Sequence, residues 1–348
     1  MTRPTRLLLV TNIFPTPDRP QSGPFVARRV AALRERGVEV TVAGPSSYRR
    51  NSLIRHARIT WRALTARGPF DGVEAHPLYA AGVIGLVAAR LRRKPLLAYA
   101  HGSDVMDYAV RSRFHRALAR WVARGAAAVV ANSSETAAHV ERLGVTAQVV
   151  SPGVDMDIFR SARAADRAVQ RKRLGLPSGP LAIFVGAVAY DKGADLFAEA
   201  IELAPRWRAV ILGDGPLARD LAAAHPRISV HPSVPPEEVP AWLQAVDIVV
   251  VPSRREGFGL VAVEALACAT PVIAASTGGL RETVRDGENG LLVPPGDAEA
   301  LAGALKRLLD PRLRARLAAA GPGSVAGHDA ARAGEAMAEI WGRLGVRA

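Results

Sequence analysis

Glu256 and Glu264 stand eight positions apart in the stretch P-S-R-R-E-G-F-G-L-V-A-V-E, residues 252–264. The run before it, Ile248, Val249, Val250 and Val251, reads as a buried parallel strand. After it, Val261, Val263, Ala265, Leu266 and Ala269 suit an apolar helix. A strand, a glycine-containing turn and a helix put Glu256 in a loop at a strand's carboxyl end, where ligands sit in open α/β sheets. Glu264 lies about two turns along the helix, so both carboxylates point roughly the same way. Gly257 and Gly259 flank Phe258, and Leu260 follows them. The two glycines leave main-chain N–H groups open at the helix N-terminus, which suits an anion. Taken alone, the same residues also read as a structural turn with two solvated glutamates.

Other residues with chemical potential lie at similar strand ends. His101-Gly102-Ser103-Asp104 closes a strand over 95–101 and places an imidazole beside an open backbone. Lys192-Gly193 stands between a strand ending at Gly186 and a helix over 194–203, where an ammonium can neutralise a phosphate. Gly23 ends a proline-rich loop that begins near Pro15. No G-x-G-x-x-G follows the first strand, so a dinucleotide-binding fingerprint is not supported. Cys268, the only cysteine, excludes an internal disulfide and reads as a core residue of the helix after Glu264. There is no metal-ligand cluster and no defensible Ser-His-Asp order.

Taken together and in order, these motifs resemble the family 4 retaining glycosyltransferases of the GT-B fold. The likeness rests on the glutamates around Gly257-Phe258-Gly259, on His101-Gly102-Ser103-Asp104 and on Ser151-Pro152-Gly153-Val154-Asp155. Gly186 with Lys192-Gly193 and Gly213-Asp214-Gly215-Pro216 complete it. It implies an α/β chain of two Rossmann-like domains facing across a cleft, with a C-terminal helix crossing back to the first domain. In its terms His101 and Glu256 are the catalytic candidates. Gly23, Gly186, Lys192, Gly193, Gly257, Phe258, Gly259, Leu260 and Glu264 bind the donor, and Gly102 and Asp104 lie on the acceptor side. Lys192 and the glycine N–H groups hold the diphosphate, Glu264 takes the ribose hydroxyls, and Glu256 contacts the donor sugar. The segment 231–234 falls where the family packs its nucleotide base. The implied substrate is a UDP- or GDP-sugar, with retention of configuration, no metal and no further cofactor. One position departs from the pattern: Ala187 stands where members usually carry an arginine, so one diphosphate cation is missing and Arg254 or Arg255 would have to compensate.

The elements that must position these residues follow from pattern. Residues 6–10 form a first strand, 25–36 a helix ended by Gly37, and 38–43 the next strand. Further strands are expected at 126–131, 181–186, 207–212, 228–230, 271–275 and 290–294. Residues 161–180 read as a linker with a short helix. Met337, Ile340, Trp341 and Leu344 share one helical face that is expected to be buried. The resemblance implies domains of 1–163 for the acceptor and 164–330 for the nucleotide sugar, with a terminal helix over 331–348 packing back towards the first domain. Phe159 and the segment 149–155 are expected to close the first domain.

At 348 residues and 49% apolar composition the chain suits two globular domains. Its net charge of +14 is unevenly placed. Positions 1–163 hold 25 basic and 11 acidic residues, and the remainder balances. From Tyr48 to Phe70 there are six arginines and no acid, with Ile54, Ala57, Trp61 and Leu64 at helical spacing. Phe114, Leu118, Trp121 and Val122 recur among Arg111, Arg113, Arg116, Arg120 and Arg124. Such helices either lie on an anionic bilayer or bury their apolar face in the core. The leading expectation is a cytoplasmic enzyme, peripheral on the inner membrane face, with a lipid-linked or cell-surface glycan acceptor. A small, antibiotic-type acceptor is the alternative. A sugar-nucleotide epimerase, an inactive family member and a non-catalytic binder of anionic membrane or nucleic acid are the other readings. Nucleic acid is not expected as a partner, since no stacking platform or known module is present. No signal peptide is legible, and the longest apolar run, 78–89, is about half a membrane span.

Overall fold

The computed structural model describes residues 3–19, 22–49, 51–162 and 164–347. Pro20, Gln21, Arg50 and Arg163, all drawn on above, lie outside them. The chain forms two compact units, Met1–Gly153 with Ala331–Ala348, and Val154–Ala330. The first unit alternates strands and helices: β1 (Arg6–Thr11), α1 (Pro24–Glu35), β2 (Glu39–Ala43), α2 (Ser52–Thr65), β3 (Gly72–His76), α3 (Ala81–Arg92), β4 (Leu96–Ala100), α4 (Arg113–Gly125), β5 (Ala128–Ala131), α5 (Ser134–Glu141) and β6 (Gln148–Val149). All pairings are parallel, in the order β2-β1-β3-β4-β5-β6. Helices cover both faces of this sheet, which is why Leu7, Leu8, Leu9 and Val10 are all fully buried and β1 reads as an unbroken apolar run. Leu8 and Val10 face α2, α3 and α4, whereas Leu7 and Leu9 face α1.

The second unit holds α6 (Ala164–Arg173), β7 (Leu181–Val185), α7 (Ala194–Leu203), β8 (Arg208–Leu212), α8 (Ala218–Ala224), β9 (Ile228–His231), α9 (Val239–Ala245), β10 (Ile248–Val251), α10 (Leu260–Ala267), β11 (Val272–Ala275), α11 (Leu280–Thr283), β12 (Gly290–Val293), α12 (Ala298–Arg307) and α13 (Pro311–Val325). Its sheet is also parallel, ordered β12-β11-β10-β7-β8-β9. In each sheet the chain sets out one way from its first strand and then returns to that strand's other side. The reversals fall between β1 and β3 and between β7 and β10. Ligand crevices of open sheets form at such switch points.

The terminal helix α14 (Ala330–Arg343) packs on the first unit. Met337, Ile340 and Trp341 are buried against the β1 and α1 side, and Leu344 is half-buried. Gly72 makes the room: a Cβ there would lie 2.5 Å from the Trp341 ring. The unit boundary falls at Gly153, earlier than the expected 163. Val154 and Phe159 belong to the second unit's core, and Val154 exchanges main-chain hydrogen bonds of 2.8 and 2.9 Å with His328 and Ala330. The segment expected to close the first domain therefore divides between the units. Among the described residues no helix is long and apolar enough to cross a membrane.

Candidate functional site

In the second unit, Lys192 ends a single 3-10 turn leaving β7, and Gly193 stands before α7. The Lys192 ammonium donates to Glu256 Oε2 at 3.0 Å. Ser253 Oγ donates to the same oxygen at 3.1 Å, and the Gly257 N–H donates to Oε1 at 3.2 Å. Two chain segments that leave strands on either side of the switch point thus meet at this ion pair. Its side chains are 33% and 16% exposed, so both partners are reachable from solvent. No side chain caps α10, whose first residue is Leu260. Glu264 lies on its second turn and is only 8% exposed.

Two glycines shape this cradle. Gly259 enters α10 at φ +90°, a conformation side chains rarely adopt. Gly278 has φ +55°, and a Cβ there would lie 1.6 Å from the Glu256 carbonyl oxygen. The turn after β11 therefore presses on the turn after β10, and Gly279 N–H donates to Gly257 C=O at 3.3 Å. At the end of β9 the His231 ring lies 4.9 Å from Trp242, and burial lowers its pKa. Cys268 is buried, and burial with the nearby Glu264 charge pushes its thiol up to about 12.

In the first unit His101 follows β4. Tyr99 stacks on its ring at 4.6 Å and 6°, and Phe25, two residues beyond Gly23, lies at 4.7 Å. Gly23 itself precedes α1 at the end of the proline-rich loop. The His101 N–H donates to Asp104 Oδ1, and Asn132 Nδ2 donates to the His101 carbonyl, both at 2.9 Å. Main-chain N–H groups of Val105 and Met106 bond the Gly102 carbonyl, opening a π-helical turn at Asp104. Burial pushes the Asp104 carboxyl up to about 6, against its hydrogen bond from the His101 N–H.

Behind His101 runs a buried relay. His101 Nε2 lies 2.9 Å from His76 Nδ1, and His76 Nε2 lies 2.8 Å from Glu74 Oε1. Arg29 donates to both Glu74 oxygens at 3.1 and 3.3 Å, and Trp341 Nε1 donates to Oε2 at 3.1 Å. Burial opposes the charge on Glu74, but Arg29 and His76 hold its carboxyl well below the usual range. An ionised carboxylate only accepts, so His76 Nε2 carries a proton. One proton is shared between His76 Nδ1 and His101 Nε2. Burial and the neighbouring His76 keep His101 neutral, Glu74 opposing them in part.

Residues 13–158 match the family model described as Glycosyltransferase Family 4, and residues 179–311 match Glycosyl transferases group 1. A 2-deoxystreptamine glucosyltransferase of Streptomyces kanamyceticus is 35% identical over 71% of this chain and 70% of its own length. This chain belongs to the family 4, group 1 glycosyltransferases. A D-inositol 3-phosphate glycosyltransferase of Xylanimonas cellulosilytica is 45% identical over 55% of this chain and 51% of its own length, so the match spans about half of that relative. The crystal structure of Anabaena HepE in complex with UDP shares the fold at TM-score 0.79 and 22% identity, covering 97% of this chain and all of that one.

Against the family pattern, several expectations change. The Gly257 N–H is engaged by Glu256 and not open. The Phe258 ring is buried, edge-on to His328 at 5.3 Å, so it serves the core of the second unit. Arg254 does not replace the arginine missing at Ala187. It pairs in bidentate fashion with Asp195 at 2.8 and 2.7 Å and lies 3.7 Å over the Tyr190 ring. Asp104 is buried and turned to the main chain of His101, so its carboxylate positions that residue. Sequence reasoning missed Glu74, His76 and the role of Asn132. The alternation Gly72, Glu74, His76 was the available signal, since it puts three residues on one strand face.

Proposed function

We propose that this chain transfers a sugar, with retention, from a nucleoside diphosphate sugar to a hydroxyl of a small polar acceptor. The observation that carries the donor half is the Lys192–Glu256 pair at the β7/β10 switch point, with Glu264 buried on the uncapped helix beside it. On donor binding Lys192 turns from Glu256 to the diphosphate, and Glu256 is released to the sugar hydroxyls. Glu264 accepts from the ribose hydroxyls. The anomeric C–O bond to phosphate breaks as the acceptor oxygen bonds to the same carbon. The acceptor proton passes to the departing phosphate oxygen. Charge on that phosphate is met by Lys192 and the helix N-terminus. His101, held neutral, meets substrate hydroxyls with its imidazole and its carbonyl.

A small acceptor is better supported than the lipid-linked glycan expected from the sequence. Two relatives that align over 71% and 77% of this chain are named a 2-deoxystreptamine glucosyltransferase and an alpha-D-kanosaminyltransferase. The name of the Xylanimonas relative points to an inositol phosphate. Binding of UDP by HepE supports a uridine nucleotide as the first donor to test, with GDP second. The test is a thermal shift with UDP and GDP, followed by mass spectrometry with the UDP-sugar and either acceptor. A nucleotide at about 100 times its dissociation constant adds roughly 2.7 kcal/mol to stability. One nucleotide is expected to shift the transition, with the shift lost in Glu264→Gln. No shift with either nucleotide refutes the donor site. Turnover confined to lipid-linked acceptors refutes the small-acceptor reading.

A further inference from the structure

Helices α2, α3 and α4 lie side by side on one face of the first unit's sheet and share its core. They are 14, 12 and 13 residues long and hold three, two and four arginines, with no aspartate or glutamate in any of them. A surface helix ordinarily turns its larger apolar residues to the core. Helix α2 buries Ile59 and Ala63 and leaves Leu53 and Trp61 at 79% and 66% exposure. Leu91 of α3 and Phe114 of α4 are as open, at 70% and 71%. Between α3 and α4 lies a hollow of about 310 Å³ lined by Arg90, Arg120, Trp121 and Arg124 among others, with no acidic side chain. The Arg90 guanidinium sits 4.9 Å over the Trp121 ring.

We propose that this helical layer docks the protein on an anionic phospholipid bilayer. Leu53, Trp61, Leu91 and Phe114 enter the boundary between headgroups and acyl chains, and the hollow beside Trp121 takes a lipid phosphate. Apolar side chains interleaved with arginines on an acid-free face need a partner that is both greasy and negative. A second copy of the chain would set arginine against arginine. A nucleic acid would use the arginines and leave Leu53 and Leu91 in water. The inference stands on the first unit alone and does not depend on the donor or acceptor proposed above.

The test is sedimentation of the full chain with vesicles of phosphatidylcholine, with and without phosphatidylglycerol. Binding at least ten-fold tighter to the anionic vesicles is expected, weakening with salt. Arg120→Gln with Arg124→Gln should weaken it about thirty-fold, at roughly five-fold per arginine. Trp61→Ser with Phe114→Ser should weaken it at least ten-fold while circular dichroism and the melting temperature stay unchanged, since both positions are exposed. Failure to bind anionic vesicles, binding indifferent to both pairs, or tighter binding to duplex DNA than to vesicles would overturn the proposal.

Discussion

Replacing Glu74 by glutamine tests the buried relay behind His101. Glu74 is fully buried and takes four hydrogen bonds. Oε1 accepts from Arg29 Nε and His76 Nε2, and Oε2 accepts from Arg29 Nη2 and Trp341 Nε1. In Glu74→Gln one oxygen becomes an NH₂ group. Whichever way the amide turns, two donors then face a donor, one of them from Arg29, whose side chain is only 11% exposed. Breaking one side of a buried ion pair costs about 3–5 kcal/mol. At about 2–4 °C per kcal/mol for a domain of this size, the first unit should melt roughly 6–20 °C lower. The pH dependence supplies a second readout. The folded pKa of Glu74 is depressed, so its stabilisation is present above the unfolded value of 4.5 and is lost as pH falls through the folded value. Glu74→Gln should flatten that acid limb. Urea denaturation followed by near-UV circular dichroism at pH 7 and pH 4 measures both. Trp341→Phe removes one hydrogen bond to the same carboxylate and should cost less, about 1.5–3 kcal/mol. A loss below about 1 kcal/mol in Glu74→Gln, with the acid limb unchanged, would refute the relay as a structural unit.

Three further outcomes are expected. Asp104 has a folded pKa of about 6 against 3.8 for the free side chain, so its contribution is fully present below 3.8 and is lost as pH rises through 6. Asp104→Asn keeps an acceptor for the His101 N–H and should raise stability at pH 7 relative to pH 4 by up to about 3 kcal/mol, read by denaturation at the two pH values. Gly278→Ala places a methyl against the Glu256 carbonyl at positive φ, and should abolish the nucleotide-induced thermal shift while the first unit's melting is unchanged. Cys268 should resist a thiol-specific reagent in the folded protein at pH 8 and react once urea unfolds the second unit, because its thiol is buried and poorly ionised.

The two-sheet architecture was legible because parallel strands covered on both faces read as unbroken apolar runs, as Leu7–Val10 of β1 and all of β7, β10 and β11 do. Helix α14 was legible through the spacing of Met337, Ile340 and Trp341. Strand β3 was not. Its five residues are all buried, yet they include Glu74 and His76, which carry no strand signal. Glu74 tolerates burial because Arg29 and Trp341 reach it, Trp341 from 267 positions away, and His76 because it bonds Glu74 and His101. The direction of α2 was equally hidden. Its apolar spacing announces an amphipathic helix but not which stripe faces the sheet, and packing chose Ile59 and Ala63.

The sequence by itself determined which residues carry charge and which turns need glycine, because residue type fixes both. It therefore sufficed to nominate Lys192, Glu256, Glu264 and His101. Tertiary structure alone decided how those groups are spent. Glu256 holds Lys192 and the Gly257 N–H, Arg254 is committed to Asp195, and Asp104 serves the His101 backbone. The physical reason is that a buried polar group must find a partner within about 3 Å. Folding brings that partner from elsewhere in the chain: from 64 positions away for Glu256 and 59 for Arg254.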